Sequence, residues 1–452
     1  MSNTPSNNQR MFSNGDLVKL TVPLFLSSLL AIVTNLVDSA MVSSAGEAAV
    51  SGVSLVGNIT MVFIMLVTAA TSGGIVITSQ FVGKGDQKLA NESAKQFIYL
   101  ATASGLLISI ILFFFREPIL HLVYGSVDED VFDACCDYLF WLSLGYPFFA
   151  IGSGSSAILR SVGKNTLSVV LFTASNLLNI VGNAIFIYVF DMGAAGAGLS
   201  TTLSRVIWAV GSIILLHNKN LKVHFEKLYR YKPDWQVIKK IAVIGGTSGI
   251  ASALFYIGKL LISTLTATFP TIEITAFSVS NSICNFAWTG LDSFSTALIP
   301  IVGQCMGAGK PDQARFYAKR MTNASTVAMV ILFGLVFLLR NQLVLLFDLK
   351  PVTLALAATN VGRGAFFSIF SIYSWAFTPI CAFRSAGDVK YGLYVSAITM
   401  FVFRVGLAFL LGSYFKMGLL GLWIGMWADW FVRAVLNFFH FRQGKWLTKK
   451  VI

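Results

Sequence analysis

The chain alternates long apolar stretches with short polar ones. Apolar runs lie near 17–41, 50–80, 93–115, 131–157, 166–190, 195–217, 238–267, 274–302, 318–339, 353–381, 390–414 and 417–440. The intervening segments are short and rich in Gly, Asp, Asn and Lys, as in GKGDQK (83–88) and AGKPDQ (308–313). At about 1.5 Å per residue, some 20 apolar residues in a helix cross the hydrocarbon core of a bilayer. Each run therefore predicts a membrane-spanning helix, and the pattern predicts an all-α polytopic membrane protein with twelve transmembrane helices.

Composition supports this reading. Hydrophobic residues make up 56% of the 452 positions and charged residues 12%, about half the charge of an average soluble domain. A net charge of +13 could suit a nucleic-acid binder, but its distribution points elsewhere. About 24 of the 33 Lys and Arg fall on the side that holds both termini, and only Arg116, Arg340, Lys350 and Lys416 on the other. This asymmetry predicts a multi-pass protein of the cell membrane with both termini cytoplasmic, and no nucleic-acid partner. The first run is too long for the core of a cleavable signal peptide. The five cysteines show no metal-ligand or redox spacing, which reads as packing and predicts no metal centre or cofactor.

The two halves of the chain repeat one another. SQFVGKGDQKLANESAKQF (79–97) aligns without gaps on GQCMGAGKPDQARFYAKRM (303–321). The matches are Gln80/Gln304, Gly83/Gly307, Gly85/Gly309, Ala90/Ala314, Ala94/Ala318 and Lys95/Lys319. The same offset of 224 aligns Arg160-Ser161-x-Gly163 with Arg384-Ser385-x-Gly387, and an offset of 225 aligns Met192-Gly193 with Met417-Gly418. A six-helix unit has been duplicated, giving parallel lobes at 17–217 and 238–440, a basic linker at 218–237, and tails at 1–16 and 441–452. Two-lobed duplication is a common plan among transporters. Gly83-Lys84-Gly85-Asp86 is not a phosphate loop, since no strand precedes it and no Gly-Lys-Ser/Thr follows. It reads as the end of one helix and the cap of the next.

These loops, the VP at 22–23 followed by VDSAMV (37–42), the Gln-x-x-Gly-x-Gly loop of each half and RSAGDVKYG (384–392) together resemble the multidrug and toxic compound extrusion (MATE) family. The resemblance covers essentially the whole chain. It implies two homologous six-helix bundles forming a V-shaped central cavity that opens alternately to either side of the membrane. It also implies an antiporter that exports bulky, often cationic or amphipathic drugs or metabolites in exchange for H⁺ or Na⁺. Such a protein has membrane lipid and small molecules as partners, works as a monomer, and is not an enzyme. The alternative within transport is a flippase of lipid-linked oligosaccharides, which often has additional helices and a strongly basic cavity. A membrane-embedded enzyme or a scaffold is the reading from another class. Against an enzyme, His121, His217, His224 and His440 all lie near run ends or in loops.

Asp38 stands inside the first apolar run, where an ionised carboxylate costs roughly 2.5–3.5 kcal/mol on insertion scales. A carboxylate there can hold a proton or help to ligate Na⁺, a hard cation that prefers oxygen. Asn179 and Asn183 are one helical turn apart in the fifth run, and Thr201 and Thr202 open the sixth, so their polar groups can converge at the depth of Asp38. The resemblance implies that Asp38, Asn179, Asn183 and Thr201 form the cation-coupling site. Position 183, often Asp in such proteins, is Asn here. In the second lobe Lys259 and Asp292 predict an ion pair facing the cavity, and Trp288, Tyr373 and Trp375 an aromatic lining for flat cations. Pro23, on the same run as Asp38, predicts a helix bend.

Overall fold

The computed structural model describes residues 10–125, 127–225, 232–347, 349–370 and 372–452. Residues 1–9 of the expected tail, 226–231 of the expected linker and Ser371 lie outside the described residues. The first half forms α1 (Asn14–Ser43), α2 (Glu47–Lys84), α3 (Gln87–Tyr124), α4 (Glu129–Ser161), α5 (Asn165–Asn183) and α6 (Gly193–Leu216). The second forms α7 (Trp235–Thr266), α8 (Thr271–Gly307), α9 (Pro311–Leu338), the short α10 (Arg340–Val344), α11 (Pro351–Phe370), α12 (Tyr373–Ala386), α13 (Val389–Ile398) and α14 (Leu419–Gln443). A π-helical stretch, Ala184–Val189, prolongs α5, and two more, Thr399–Gly406 and Ala408–Tyr414, prolong α13. No strand occurs among the described residues.

Among the described residues, eleven helices are long and apolar enough to cross a membrane. The predicted run at 274–302 forms α8, which is long but less apolar, with Ser278, Asn281, Asn285, Asp292 and Ser293 among its residues. Large apolar side chains are exposed along the helices, for example Leu106, Leu107, Ile110 and Phe114 on α3. Such a surface suits hydrocarbon rather than water.

The tenth predicted run, 353–381, is not one helix but α11 and α12. Ile372, with φ 52°, stands at the break in the left-handed region. Pro379 has no N–H for the carbonyl four residues earlier, that of Trp375. The amide of Asn437 on α14 supplies the missing donor, reaching the Trp375 and Ala376 carbonyls at 3.1 and 2.8 Å. Pro23, in contrast, lies within a continuous α1. Near it the Asn165 amide donates to the Leu20 carbonyl at 2.5 Å, tying the start of α5 to α1.

The duplication read from the loops is also a duplication of backbone geometry. Gly85 ends α2 with φ 79° and its counterpart Gly309 has φ 68°. Gly163 and Gly387 have φ 79° and 101°, and Gly193 and Gly418 have 52° and 55°. The Gly85 N–H bonds back to the Phe81 and Val82 carbonyls, a left-handed cap that glycine forms without a Cβ penalty. Asp86 then starts α3 by accepting from the Leu89 N–H at 3.0 Å. The GKGD segment is thus a helix stop joined to a helix start.

The chain divides into two compact units, Gly15–Gly249 and Ile250–Ile452, the second including the segment that ends at Asn14. The division falls inside α7, not in the linker expected at 218–237. Gln96 donates to the Lys232 carbonyl at 2.5 Å, holding the approach to α7 against α3. The N-terminal segment joins the second unit through α9. The Met11 N–H donates to Gln313 at 2.9 Å, and Phe12 exchanges hydrogen bonds with the Tyr317 hydroxyl at 2.9 and 2.8 Å.

Candidate functional site

In the first unit, Asp38 is half-buried in the last turns of α1, while Asn179 and Asn183 are buried on one face of α5. Asn183 Nδ2 donates to Asp38 Oδ1 at 2.9 Å. The neighbours of Asn179 fix its amide orientation: its side-chain oxygen accepts from the Thr201 N–H at 3.2 Å. Its nitrogen then donates to both Asp38 oxygens at 3.1 Å. Two buried amides therefore hold one carboxylate from the same side.

The close approach of α5 and α6 makes this arrangement possible. A Cβ at Gly182 would lie 2.4 Å from Ser200 Oγ, so only glycine lets Ser200 reach the Asn179 carbonyl at 2.7 Å. Thr201 donates to the Ala197 carbonyl at 2.9 Å and keeps its hydroxyl beside Asn179. Thr202 faces away and donates to the Trp141 carbonyl at 2.6 Å. Tyr138 of α4, which the sequence did not single out, is within electrostatic reach of Asp38. Among the described residues no Lys, Arg or His pairs with Asp38. Arg205, the nearby cation, lies instead over the rings of Tyr146 and Phe149 at 5.4 and 5.1 Å. The buried Asn183 Oδ1 has no hydrogen-bond partner. The four residues expected at the site are thus adjacent, with a carboxylate that has donors but no counter-cation.

The second unit departs from expectation. Lys259 and Asp292 are both exposed and form no ion pair. The ammonium of Lys259 lies 5.6 Å from the Tyr256 ring, one turn away on its own helix. Trp288 and Tyr373 do come together, stacked at 6.3 Å, and both meet Trp430 edge-on at 5.3 Å. Trp375 does not join them; it packs on Phe438 and Phe441 at 5.4 and 5.7 Å.

The buried charge of this unit lies elsewhere. Asp429 on α14 is completely buried and faces two guanidiniums. Arg433 Nη2 donates to its Oδ1 at 2.8 Å, and Arg404 Nη1 lies 3.5 Å from its Oδ2. Arg433 also donates to the Ser396 hydroxyl at 3.1 Å. Arg404 lies 5.4 Å from the Phe255 ring and 5.8 Å from that of Trp430. A sequence signal for this cluster existed, since Asp429 and Arg433 sit four apart in an apolar run and on one helix face. The expected pairing of Lys259 with Asp292 passed over it.

A sequence profile of the MatE family matches the chain twice, at residues 23–185 and 248–410. A probable multidrug resistance protein NorM of Thermotoga maritima is 23% identical over 97% of this chain and 94% of its own. The multidrug resistance protein PmpM of Pseudomonas aeruginosa is 26% identical over 92% of this chain and 84% of its own. Among solved structures, the outward-facing conformation of a multidrug resistance MATE family transporter of the MOP superfamily superposes with a TM-score of 0.88. It is 19% identical and covers 95% of each chain, which establishes a shared fold.

Proposed function

Because the chain belongs to the MatE family and is a multi-pass membrane protein, we propose that it extrudes drugs or other toxic compounds in exchange for a cation bound at Asp38. The observation that carries this reading is a carboxylate in a membrane helix with two amide donors and no counter-cation. Intramembrane acids of this kind mark ion pathways. When Asp38 is ionised, the Asn179 and Asn183 amides supply the charge-assisted hydrogen bonds that offset its desolvation. When it takes up a cation, those donors must turn or withdraw, and the free Oδ1 of Asn183 is the natural acceptor for a proton on Asp38. Both amides present N–H rather than oxygen to the carboxylate, so the proton fits this geometry better than Na⁺, which needs several oxygens. The cation load of Asp38 thereby alters how α1 is tied to α5, a local change from which alternating access can follow.

The location proposed is the cell membrane, with both termini in the cytoplasm, on the strength of the Lys/Arg asymmetry. The test is transport of ethidium by proteoliposomes, driven separately by a pH gradient and by a Na⁺ gradient. The pH gradient should drive uptake, and Asp38→Asn should lower that rate at least tenfold. If neither gradient moves ethidium, the exporter reading fails; if Asp38→Asn transports at the native rate, the coupling assignment fails.

A further inference from the structure

The repeat sets Arg404 in a telling position. At the offset of 225 that relates Gly193 to Gly418, and that also separates the starts and the ends of the two profile matches, Asn179 corresponds to Arg404 and Ser204 to Asp429. The slot that presents an amide to a carboxylate in the first unit holds a guanidinium in the second. Asp38 corresponds to Ser263, which carries no charge.

Arg404 is only 6% exposed, yet its Nε and Nη1 have no hydrogen-bond partner. Its one anionic neighbour among the described residues, Asp429, is committed to Arg433 at 2.8 Å and stands 3.5 Å from Arg404. A single carboxylate therefore faces two guanidiniums, leaving an uncompensated positive charge in a poorly hydrated site. That is costly unless an anion completes the cluster. Aromatic rings surround the cluster. Trp430 is 5.8 Å from Arg404 and meets both Trp288 and Tyr373. Tyr373 is within electrostatic reach of Arg404 and of the exposed Asp292, while Lys259, also exposed, is within reach of Arg404.

We infer that the second unit contains an anion-binding site in which Arg404 takes the carboxylate of a flat aromatic acid and the Trp288–Tyr373–Trp430 group faces its ring. Guanidinium suits this task because its planar fork matches a carboxylate and stacks on aromatic faces. The inference rests on the exporter reading and adds compounds that carry an acidic group to the substrates it admits. Binding is measured without any gradient, so it can fail while transport holds, and the reverse.

The probe is 2-naphthoate, with 2-naphthamide as its neutral isostere, titrated calorimetrically into the purified full chain in detergent micelles. Naphthoate should bind the native protein at least tenfold more tightly than naphthamide. Arg404→Gln should remove that preference, and Arg404→Lys, which keeps the charge but not the fork, should retain part of it. Equal affinities for acid and amide, or a folded Arg404→Gln protein that keeps the preference, would overturn the assignment. Should Arg404→Gln not fold, the comparison of acid with amide on the native chain decides alone.

Discussion

Asp38 and Asp429 are two carboxylates in membrane helices of one duplicated protein, and their surroundings are opposite. Asp38 is half-buried and held by neutral amides on α5, and among the described residues no Lys, Arg or His forms an ion pair with it. Asp429 is fully buried and clamped between Arg433 and Arg404. An acid held only by amides can exchange its counter-ion, because no fixed charge competes for it. An acid between two guanidiniums cannot give up its charge without stranding both. The first unit thus carries an exchangeable site and the second a permanent one, although the two descend from one six-helix unit.

The largest effect should come from removing the permanent charge. Asp429→Asn leaves two buried guanidiniums without a counter-ion and should cost about 3–5 kcal/mol of stability. The identical change at Asp38 keeps an amide-sized group among amide partners and should cost less than about 1 kcal/mol. Thermal unfolding of both variants in the same detergent measures the contrast. An Asp429→Asn protein that melts with the native one would show that the guanidiniums are hydrated and that the two sites do not differ in kind.

The next change transplants a residue between the units. Gly182 corresponds to Leu407, which is half-buried and tolerated in the second unit. Gly182→Leu forces a side chain into Ser200, where even a Cβ would stand at 2.4 Å. The expected loss is about 1–3 kcal/mol, together with coupling, because the α5–α6 contact orients Asn179. Preserved proton-driven transport in a stable Gly182→Leu protein would separate the Asn179 orientation from function.

How much of this was legible beforehand depends on the kind of signal. The all-helical membrane class and the duplication were written in run lengths and in glycines at one spacing, since a left-handed cap admits few other residues. The first-unit site was legible because Asp38, Asn179, Asn183 and Thr201 are polar residues in apolar runs, each costly unless partnered. Ser200 and Gly182 were not, because small residues in membrane helices are common and their role appears only with the neighbouring helix in place. The second-unit cluster was misread: Lys259 and Asp292 were matched by charge alone, while the Asp429–Arg433 spacing offered the better clue. The break between α11 and α12 carried a weak signal in Pro379, but its partner Asn437 lies far along the chain.

A smaller effect tests that break. Asn437→Ala leaves the Trp375 carbonyl, already without the Pro379 N–H, unpartnered at a buried site and should cost about 1–2 kcal/mol. The repeat counterpart of Asn437 is Ser212, whose buried hydroxyl has no hydrogen-bond partner. Ser212→Ala should therefore be neutral or slightly stabilising. Denaturation of the pair reports whether the second unit alone uses this position to hold a broken helix. Equal losses would mean that Ser212 has a hidden partner and that the units agree here.

The smallest effect concerns a place where the two units do agree. Gly85 and Gly309 share a left-handed backbone, and a Cβ at either meets nothing within 4 Å. Alanine at either position is therefore penalised by backbone conformation alone, at about 1 kcal/mol. Gly85→Ala and Gly309→Ala should lower the unfolding temperature by similar amounts and leave transport rates near native. Equal penalties would show that the duplicated loops still do the same mechanical work, so the divergence between the halves lies in the helices. A marked inequality would place part of that divergence in the loops, and the offset that equates Asn179 with Arg404 would then need support from the helices alone.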